Sequence, residues 1–206
     1  MHMRSLARGT LCAALLVIML FTACASAGRE RSSPASKAAT SALSGAAKPD
    51  TDISRLEMKI HALINKERKK RGLSALAWSE DLHRIARRYS RDMARRVFFS
   101  HHDPEGRGFM DRYNDEGFAC KRKVGNATCL GAENIAQENL YASVVYLNGV
   151  PAYNWNSEDE IARSVVKSWM KSKGHRENIL TSYFRQQGIG IAISDDGRVY
   201  VTENFC

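Results

Sequence analysis

Apolar side chains recur at helical intervals in three stretches of the chain. Leu56, Ile60, Leu63 and Ile64 fall on one face, with Lys and Arg opposite, and Ser54-x-x-Glu57 reads as a capping box at its start. Gly72 ends that helix. Ser79 caps a second helix whose inner face is Leu82, Ile85, Ala86, Tyr89 and Met93. The third carries Ile161, Ala162, Val165, Val166 and Trp169, starts on the capping box Ser157-x-x-Glu160 and ends at Gly174. Phe109 to Gly117 predicts a short helix, and Leu140 to Leu147 a strand. Ile189, Ile191 and Ile193 alternate as a strand does; Asp195-Asp196-Gly197 turns, and Val199 to Phe205 returns as the second arm of a hairpin. Pro104 disfavours helix at Asp103, so Phe98 to Pro104 is a loop. Helices first and a hairpin last predict an α/β fold, a sheet covered by helices, over residues 53–206.

The pattern before residue 53 is different. Arg4 and Arg8 precede an unbroken apolar run, Leu11 to Phe21, followed at once by small residues. That order is an export signal over residues 1–23, and the run falls short of the roughly 20 residues that a membrane-spanning helix requires. Phe21-Thr22-Ala23-Cys24 resembles a bacterial lipobox with Phe in place of the usual Leu, which would make Cys24 a lipidated first residue and anchor the chain in a membrane. The alternative is cleavage at Ala25-Ser26-Ala27, which would release a soluble secreted or periplasmic protein starting at Gly28. Residues 24–52, rich in Ser, Ala, Gly and Pro with one Leu and no aromatic residue, read as a tether outside the fold. The expected location is extracytoplasmic.

Charge adds one feature. Residues 53–206 hold 25 Lys and Arg against 19 Asp and Glu, and residues 53–96 alone hold 13 against 5. Without a nucleic-acid motif, and behind an export signal, this basic half suits a solvated face that meets anionic lipid or polysaccharide rather than DNA or RNA. Of the five cysteines, Cys12 leaves with the signal and Cys24 is taken by lipidation. Cys120, Cys129 and Cys206 remain, in a compartment that permits disulfides. Cys120 and Cys129 bracket a short polar loop containing Gly125-Asn126, which favours a local bridge; a Cys120–Cys206 bridge would close a far longer loop and restrict the unfolded chain more. The sequon Asn126-Ala127-Thr128 carries little weight beside a bacterial lipobox.

Several blocks occur in a fixed order: Leu63-Ile64-Asn65-x-x-Arg68; Gly72-Leu73-x-x-Leu76-x-Trp78; Phe99-Ser100-His101; Gly131-Ala132-Glu133-Asn134-Ile135-Ala136; Trp169-Met170-x-Ser172-x-Gly174-His175-Arg176-x-Asn178-Ile179-Leu180; Gly188-Ile189-Gly190; and Tyr200-Val201-Thr202-Glu203-Asn204-Phe205. Together they resemble a domain of the CAP superfamily, the SCP or pathogenesis-related-1 type, in its short bacterial form. The resemblance covers nearly all of residues 55–206. It implies an α–β–α sandwich and a cleft into which His101, Glu133 and His175 converge. Many eukaryotic relatives carry a second Glu where this chain has Ser172, so the four-residue His-Glu-Glu-His set is incomplete here. Glu203 stands where bacterial relatives often have Gln and is the candidate to replace the missing carboxylate.

What this set does chemically has three readings. Relatives are associated with sterol or fatty-acyl binding and extracellular recognition, which makes a non-enzymatic binding module for a lipid, sterol or polysaccharide the leading one. Two His and one Glu are also the ligand types of a Zn site or another divalent-metal site with an open position, so His101, Glu133 and His175 are candidate metal ligands and a metal-dependent hydrolase is the alternative. No H-E-x-x-H or G-x-S-x-G pattern is present to support catalysis. The third reading is a structural envelope protein that binds anionic polymers through the basic helices. More ordinary roles compete at each position. His175 after Gly174 suits a helix end, Glu133 suits a backbone N–H acceptor, and Arg176 and Asn178 suit loop ties. His102 is expected on the surface, His61 and His83 on helices without partners, and Trp78, Trp155 and Trp169 in the core.

Overall fold

The computed structural model describes residues 47–206. The expected export signal, the lipidation site Cys24 and nearly all of the tether lie outside the described residues. Among the described residues no helix is long and apolar enough to cross a membrane.

The elements run in the order α1 (Ile53–Lys69), β1 (Ala77–Trp78), α2 (Glu80–Arg96), α3 (Phe109–Asp115), β2 (Arg122–Val124), β3 (Ala127–Cys129), β4 (Ala132–Asn139), β5 (Tyr141–Leu147), β6 (Val150–Trp155), α4 (Glu158–Lys171), α5 (Lys173–Leu180), β7 (Gln186–Ile193) and β8 (Arg198–Phe205). The main sheet has the order β1-β7-β8-β4. Short β1 joins β7 in parallel, and the remaining pairs are antiparallel. Helices α1, α4 and α5 cover one face, burying Leu56, Ile60, Val165, Trp169 and Ile179 against Ile189, Ile191, Val199, Val201 and Phe205. Helix α2 covers the other, with Tyr89 and Met93 packed on Ile135 and Tyr200. The result is the α–β–α sandwich, with the three predicted amphipathic faces turned inward.

The two outer layers rest on the sheet differently. Most of the core is side chain against side chain, but α2 crosses β7 at Gly188 and Gly190. A Cβ on Gly188 would lie 2.0 Å from the backbone nitrogen of His83, and one on Gly190 would lie 1.9 Å from that of Arg87. Only hydrogen fits there, so main chain lies directly on main chain. The Ser90 hydroxyl completes the seam by donating to the Gly190 carbonyl at 2.8 Å.

Several local expectations change. Helix α1 is capped by Asp52, whose carboxylate accepts from the Arg55 N–H, rather than by Ser54. Glu57, which the capping box would have used at the helix start, is buried and accepts from the Arg87 guanidinium at 2.8 and 3.0 Å and from the Ile191 N–H at 3.0 Å. The Ser79 cap and the Ser157–Glu160 capping box both form. The third long helix stops at Lys171: Ser172 leaves helical geometry at ψ 129°, and Gly174 lies inside the next helix. The predicted strand at 140–147 is present, but among the described residues it pairs only with β6, in a two-stranded hairpin outside the main sheet.

The disulfide is Cys120–Cys206, not the local Cys120–Cys129 bridge. In the β2–β3 hairpin Cys129 stands opposite Arg122, so Cys120 lies beyond the paired residues. It packs instead with Leu82, Ile85, Tyr113 and Cys206 at the end of the sheet. Cys129 remains a free, half-buried thiol.

Trp169 is fully buried and donates its indole N–H to the Ile135 carbonyl at 2.9 Å. Trp78 is half-buried between the rings of His61 and His83. Trp155 is outside the main core's buried set, stacked on Tyr153 in the hairpin at 4.7 Å. Both helix histidines have partners after all. His83 Nδ1 meets the Ile189 carbonyl at 2.7 Å. His61 accepts from Asn65 at Nε2 and meets the Gln187 side-chain amide at Nδ1.

Candidate functional site

β4 is the free edge of the main sheet, and the cleft is built across it. From one side comes the segment after α2. Val97 takes left-handed geometry, φ 55°, and breaks the helix. The loop that follows is held by Asp103, whose carboxylate accepts from the backbone N–H groups of Glu105 and Arg107 and from the Arg107 side chain. Tyr89 clamps its start by donating to the Ser100 carbonyl at 2.6 Å. These contacts fix His101 over the edge strand. From the other side comes α5, which carries His175 in its first turn. Asn134 donates to the His175 carbonyl, and Asn178 donates to the Asn134 side chain and to the Glu133 carbonyl. The two imidazole rings lie with centroids 6.1 Å apart and their planes inclined at 48°.

Glu133 supplies the charge beneath them. It is buried, and both of its oxygens are engaged: Oε1 lies 3.0 Å from His101 Nδ1, and Oε2 accepts from Arg112 Nη2 at 2.6 Å. Its partners are thus side chains, not the backbone N–H groups that sequence reasoning allowed. Arg112, from α3, also donates to the carbonyls of His101 and Arg107, and its guanidinium carbon sits 3.4 Å above the Tyr89 ring. Burial beside this ring of charges pushes the Tyr89 hydroxyl up to about 12, against the opposing pull of Arg112. Burial, and then the neighbouring His101, hold the His175 imidazole below the usual histidine value, which favours its neutral form.

The cleft has a volume of about 590 Å³ and is lined by Phe99, Ser100, His101, His102, Ile135, Ala136, Gln137, Ser168 and His175. His102 is exposed, as expected, yet it also forms part of the wall. Ser172 sits at the α4–α5 break, outside this lining, and its side chain makes no capping hydrogen bond.

Glu203 does not complete the set. It stands opposite Asn134 in the β4–β8 register, and side chains alternate between faces along a strand, so it points to the face away from Glu133. It is fully buried, with Oε2 accepting from Asn134 at 3.1 Å. Burial drives its carboxyl well above the usual range, which outweighs the Asn134 hydrogen bond and the Arg68 charge. An acid sealed in the core on the far face of the sheet is not a substitute for a cleft carboxylate.

Arg112 was not legible as a site residue. Its local setting is an aromatic-rich short helix, and its partners are remote in sequence. Ile135, Gln137 and Ser168 enter only because the edge strand and α4 form the cleft floor. Arg176 and Asn178, expected to tie loops, instead tie α5 to its neighbouring elements: Arg176 donates to the carbonyls of Met170 and Lys171 at the end of α4, and Asn178 reaches β4.

The donor set fits a metal only in part. Ring nitrogens bind zinc at about 2.0–2.1 Å, which puts the ion roughly 3.2 Å from each ring centre, so two ligating imidazoles can stand up to about 6.4 Å apart. A tetrahedral angle at the ion would bring the ring centres to about 5.2 Å, so the 6.1 Å between His101 and His175 lies inside that limit but asks the rings to close by about 1 Å. Glu133 does not fit, because its oxygens are committed to His101 and Arg112. Among the described residues, no group of three His, Cys, Asp or Glu side chains is arranged to hold an ion.

Comparison with known proteins agrees with this architecture. A solved outer surface protein from Borrelia burgdorferi superposes with a TM-score of 0.55 at 16% identity, covering 77% of this chain and 97% of that one. An extracellular protein containing a SCP domain from Bacillus anthracis aligns with a TM-score of 0.53 at 25% identity, covering 79% of this chain and 44% of that one. The uncharacterized protein YkwD of Bacillus subtilis is 31% identical over 140 residues, which is 68% of this chain and 44% of that protein. The chain therefore spans less than half the length of that curated relative. The profile of the CAP (Cysteine-rich secretory protein) family matches residues 61–205, and the chain belongs to that family.

Proposed function

We propose that this CAP domain is an extracytoplasmic binding module, held at a bacterial membrane by a lipid on Cys24, whose cleft takes one divalent transition metal through His101 and His175. The observation that supports this reading is the commitment of Glu133. A buried carboxylate on His101 Nδ1 fixes the ring and leaves Nε2 as the free nitrogen, the arrangement by which outer carboxylates orient metal-binding imidazoles. In this reading Glu133 orients and does not ligate, which narrows the three-residue donor set to two. Two neutral donors give modest affinity and leave positions for an oxygen of a bound lipid, sterol or polysaccharide. A metal held there would polarise that oxygen. The extracellular assignment of the Bacillus anthracis relative supports the location.

Calorimetric titration with Zn²⁺ tests the cleft. Binding is expected at pH 7.5 and is expected to fade at pH 5.5, because protonated imidazole cannot ligate. His101→Ala or His175→Ala should abolish it, and His102→Ala should leave it intact. No binding at pH 7.5, or loss in His102→Ala alone, overturns the assignment. Mass spectrometry of membrane-extracted protein tests the anchor, with an acylated Cys24 expected and a soluble form starting at Gly28 refuting it.

A further inference from the structure

The β5–β6 hairpin is unlike the rest of the surface. It pairs with no strand of the main sheet. Its root is fixed: the Leu140 N–H donates to the Gly197 carbonyl at 2.9 Å, and the Asn156 N–H donates to the Leu140 carbonyl at 2.7 Å. Tyr141, Tyr153 and Trp155 pack on one another above the root. The arms then run out to a two-residue turn at Asn148-Gly149, both with positive φ, the geometry that closes a tight hairpin. Near this tip Val145 is 42% exposed, Tyr146 68%, Leu147 37% and Val150 65%. From Asn139 to Ser157 there is no charged residue, in a chain that is 26% charged. A water-facing hairpin would carry Lys or Glu on such open edges. An apolar tip below a collar of Tyr and Trp is instead the composition of an element that sits in the membrane–water interface.

The entry point of the chain lies at the same place. The Asp52 N–H donates to Glu158 Oε1 at 3.2 Å, and Arg55 approaches the same carboxylate at 3.6 Å. Glu158 opens α4, three residues after the end of β6. The segment that leads back to Cys24 therefore joins the domain beside the hairpin root. About 28 residues separate Cys24 from Asp52, and a chain of that length spans at most roughly 95 Å. A lipid on Cys24 would keep Asp52, and with it the root of the hairpin, within about that distance of a bilayer at all times.

We infer that the tip of the β5–β6 hairpin, through Val145, Tyr146, Leu147 and Val150, docks into the interface of the bilayer to which the N-terminal segment leads. The proximity argument rests on the proposed lipid at Cys24; the composition of the hairpin does not. Docking would give the domain a fixed orientation on the membrane, where a lipid tether alone would leave it free to turn.

The test uses the full chain on vesicles of phosphatidylethanolamine and phosphatidylglycerol with brominated acyl chains, which quench nearby indoles. The variant Tyr146→Trp places a probe at the tip, Val124→Trp places one on the separate β2–β3 hairpin, and the emission of the unsubstituted chain is subtracted. The Tyr146→Trp signal is expected to shift to the blue and to be quenched, while the Val124→Trp signal is not. Adding Val150→Asp to Tyr146→Trp should lower the docked-to-free ratio by about tenfold, since a charge replaces an inserting side chain. Both positions are exposed, so unchanged thermal melting will show that the fold is kept. Equal, unquenched signals from both probes overturn the inference. So does a blue shift that follows protein concentration and ignores brominated lipid, because a second copy would then cover the tip. A chain without acylation at Cys24 refutes the anchor alone; the same quenching, measured with vesicles in excess, still decides the hairpin.

Discussion

Glu133→Ala should be among the most damaging single changes that leave the apolar core untouched. The carboxylate is 1% exposed and pairs with Arg112, which is 10% exposed. Removing one member of a buried ion pair strands the other and costs about 3–5 kcal/mol. Arg112 keeps its hydrogen bonds to two carbonyls and its contact with the Tyr89 ring, which places the cost near the lower end, about 3 kcal/mol. For a domain of this size that corresponds to a fall in Tm of roughly 6–12 °C. The pairing itself is isolated by a double-mutant cycle with Arg112→Met. Because replacing both members of a buried pair by apolar groups is often close to neutral, the double variant should recover part of the loss, with a coupling of about 2 kcal/mol. Urea unfolding of the four proteins, disulfide intact, gives the numbers. Additive losses, with coupling below about 0.5 kcal/mol, would refute the argument that Glu133 and Arg112 act as one unit. The same substitution frees the His101 ring, so Zn²⁺ affinity should fall by about 10–100-fold rather than vanish, the effect expected of an orienting partner.

Two further outcomes are expected. Non-reducing peptide mapping should find Cys120 joined to Cys206, and Cys206→Ser should lower stability by about 4.5 kcal/mol for a loop of this length; a Cys120–Cys129 peptide would refute it. Stability should also decline as pH falls below about 6.5, because burial lowers the folded-state value of His61, so the unfolded chain takes up the proton first. His61→Gln should flatten the decline measured by urea midpoint between pH 7 and pH 5, and an unchanged slope would refute this account.

The sequence made some layers of this molecule readable and hid others for identifiable reasons. The helix faces were legible because Leu56, Ile85 and Val165 repeat at the period of the element they belong to. Strand β4 was not assigned as a strand, because its polar residues Glu133 and Asn134 break the apolar alternation that marks one. They are buried only because Arg112, Asn178 and Glu203, all remote in sequence, satisfy them. Glu57 shows the same effect. Its local pattern is a capping box, but Arg87 and the Ile191 N–H offer a better-buried partnership. β6 was missed because Pro151 demotes a strand, and it is tolerated here on a hairpin whose arms both have an open edge. The family blocks brought His101, Glu133 and His175 into view. They did not show that Glu133 would serve His101, or that Glu203 would face the other way, since both depend on which face of a strand meets which layer.

The seam at Gly188 and Gly190 bears on how this domain can change over time. Where α2 crosses β7, its height above the sheet is set by backbone thickness, not by the size of any side chain. Substitutions in the large core on the opposite face can therefore swell or shrink that layer without altering how far α2 stands from β7. The loop bearing His101 grows from the end of α2, and Glu133 lies on β4 in the same sheet. Their spacing is thus insulated from drift in most of the hydrophobic interior. Relatives could diverge widely in core composition and still present the two groups to one another at the same separation, provided the two glycines are kept.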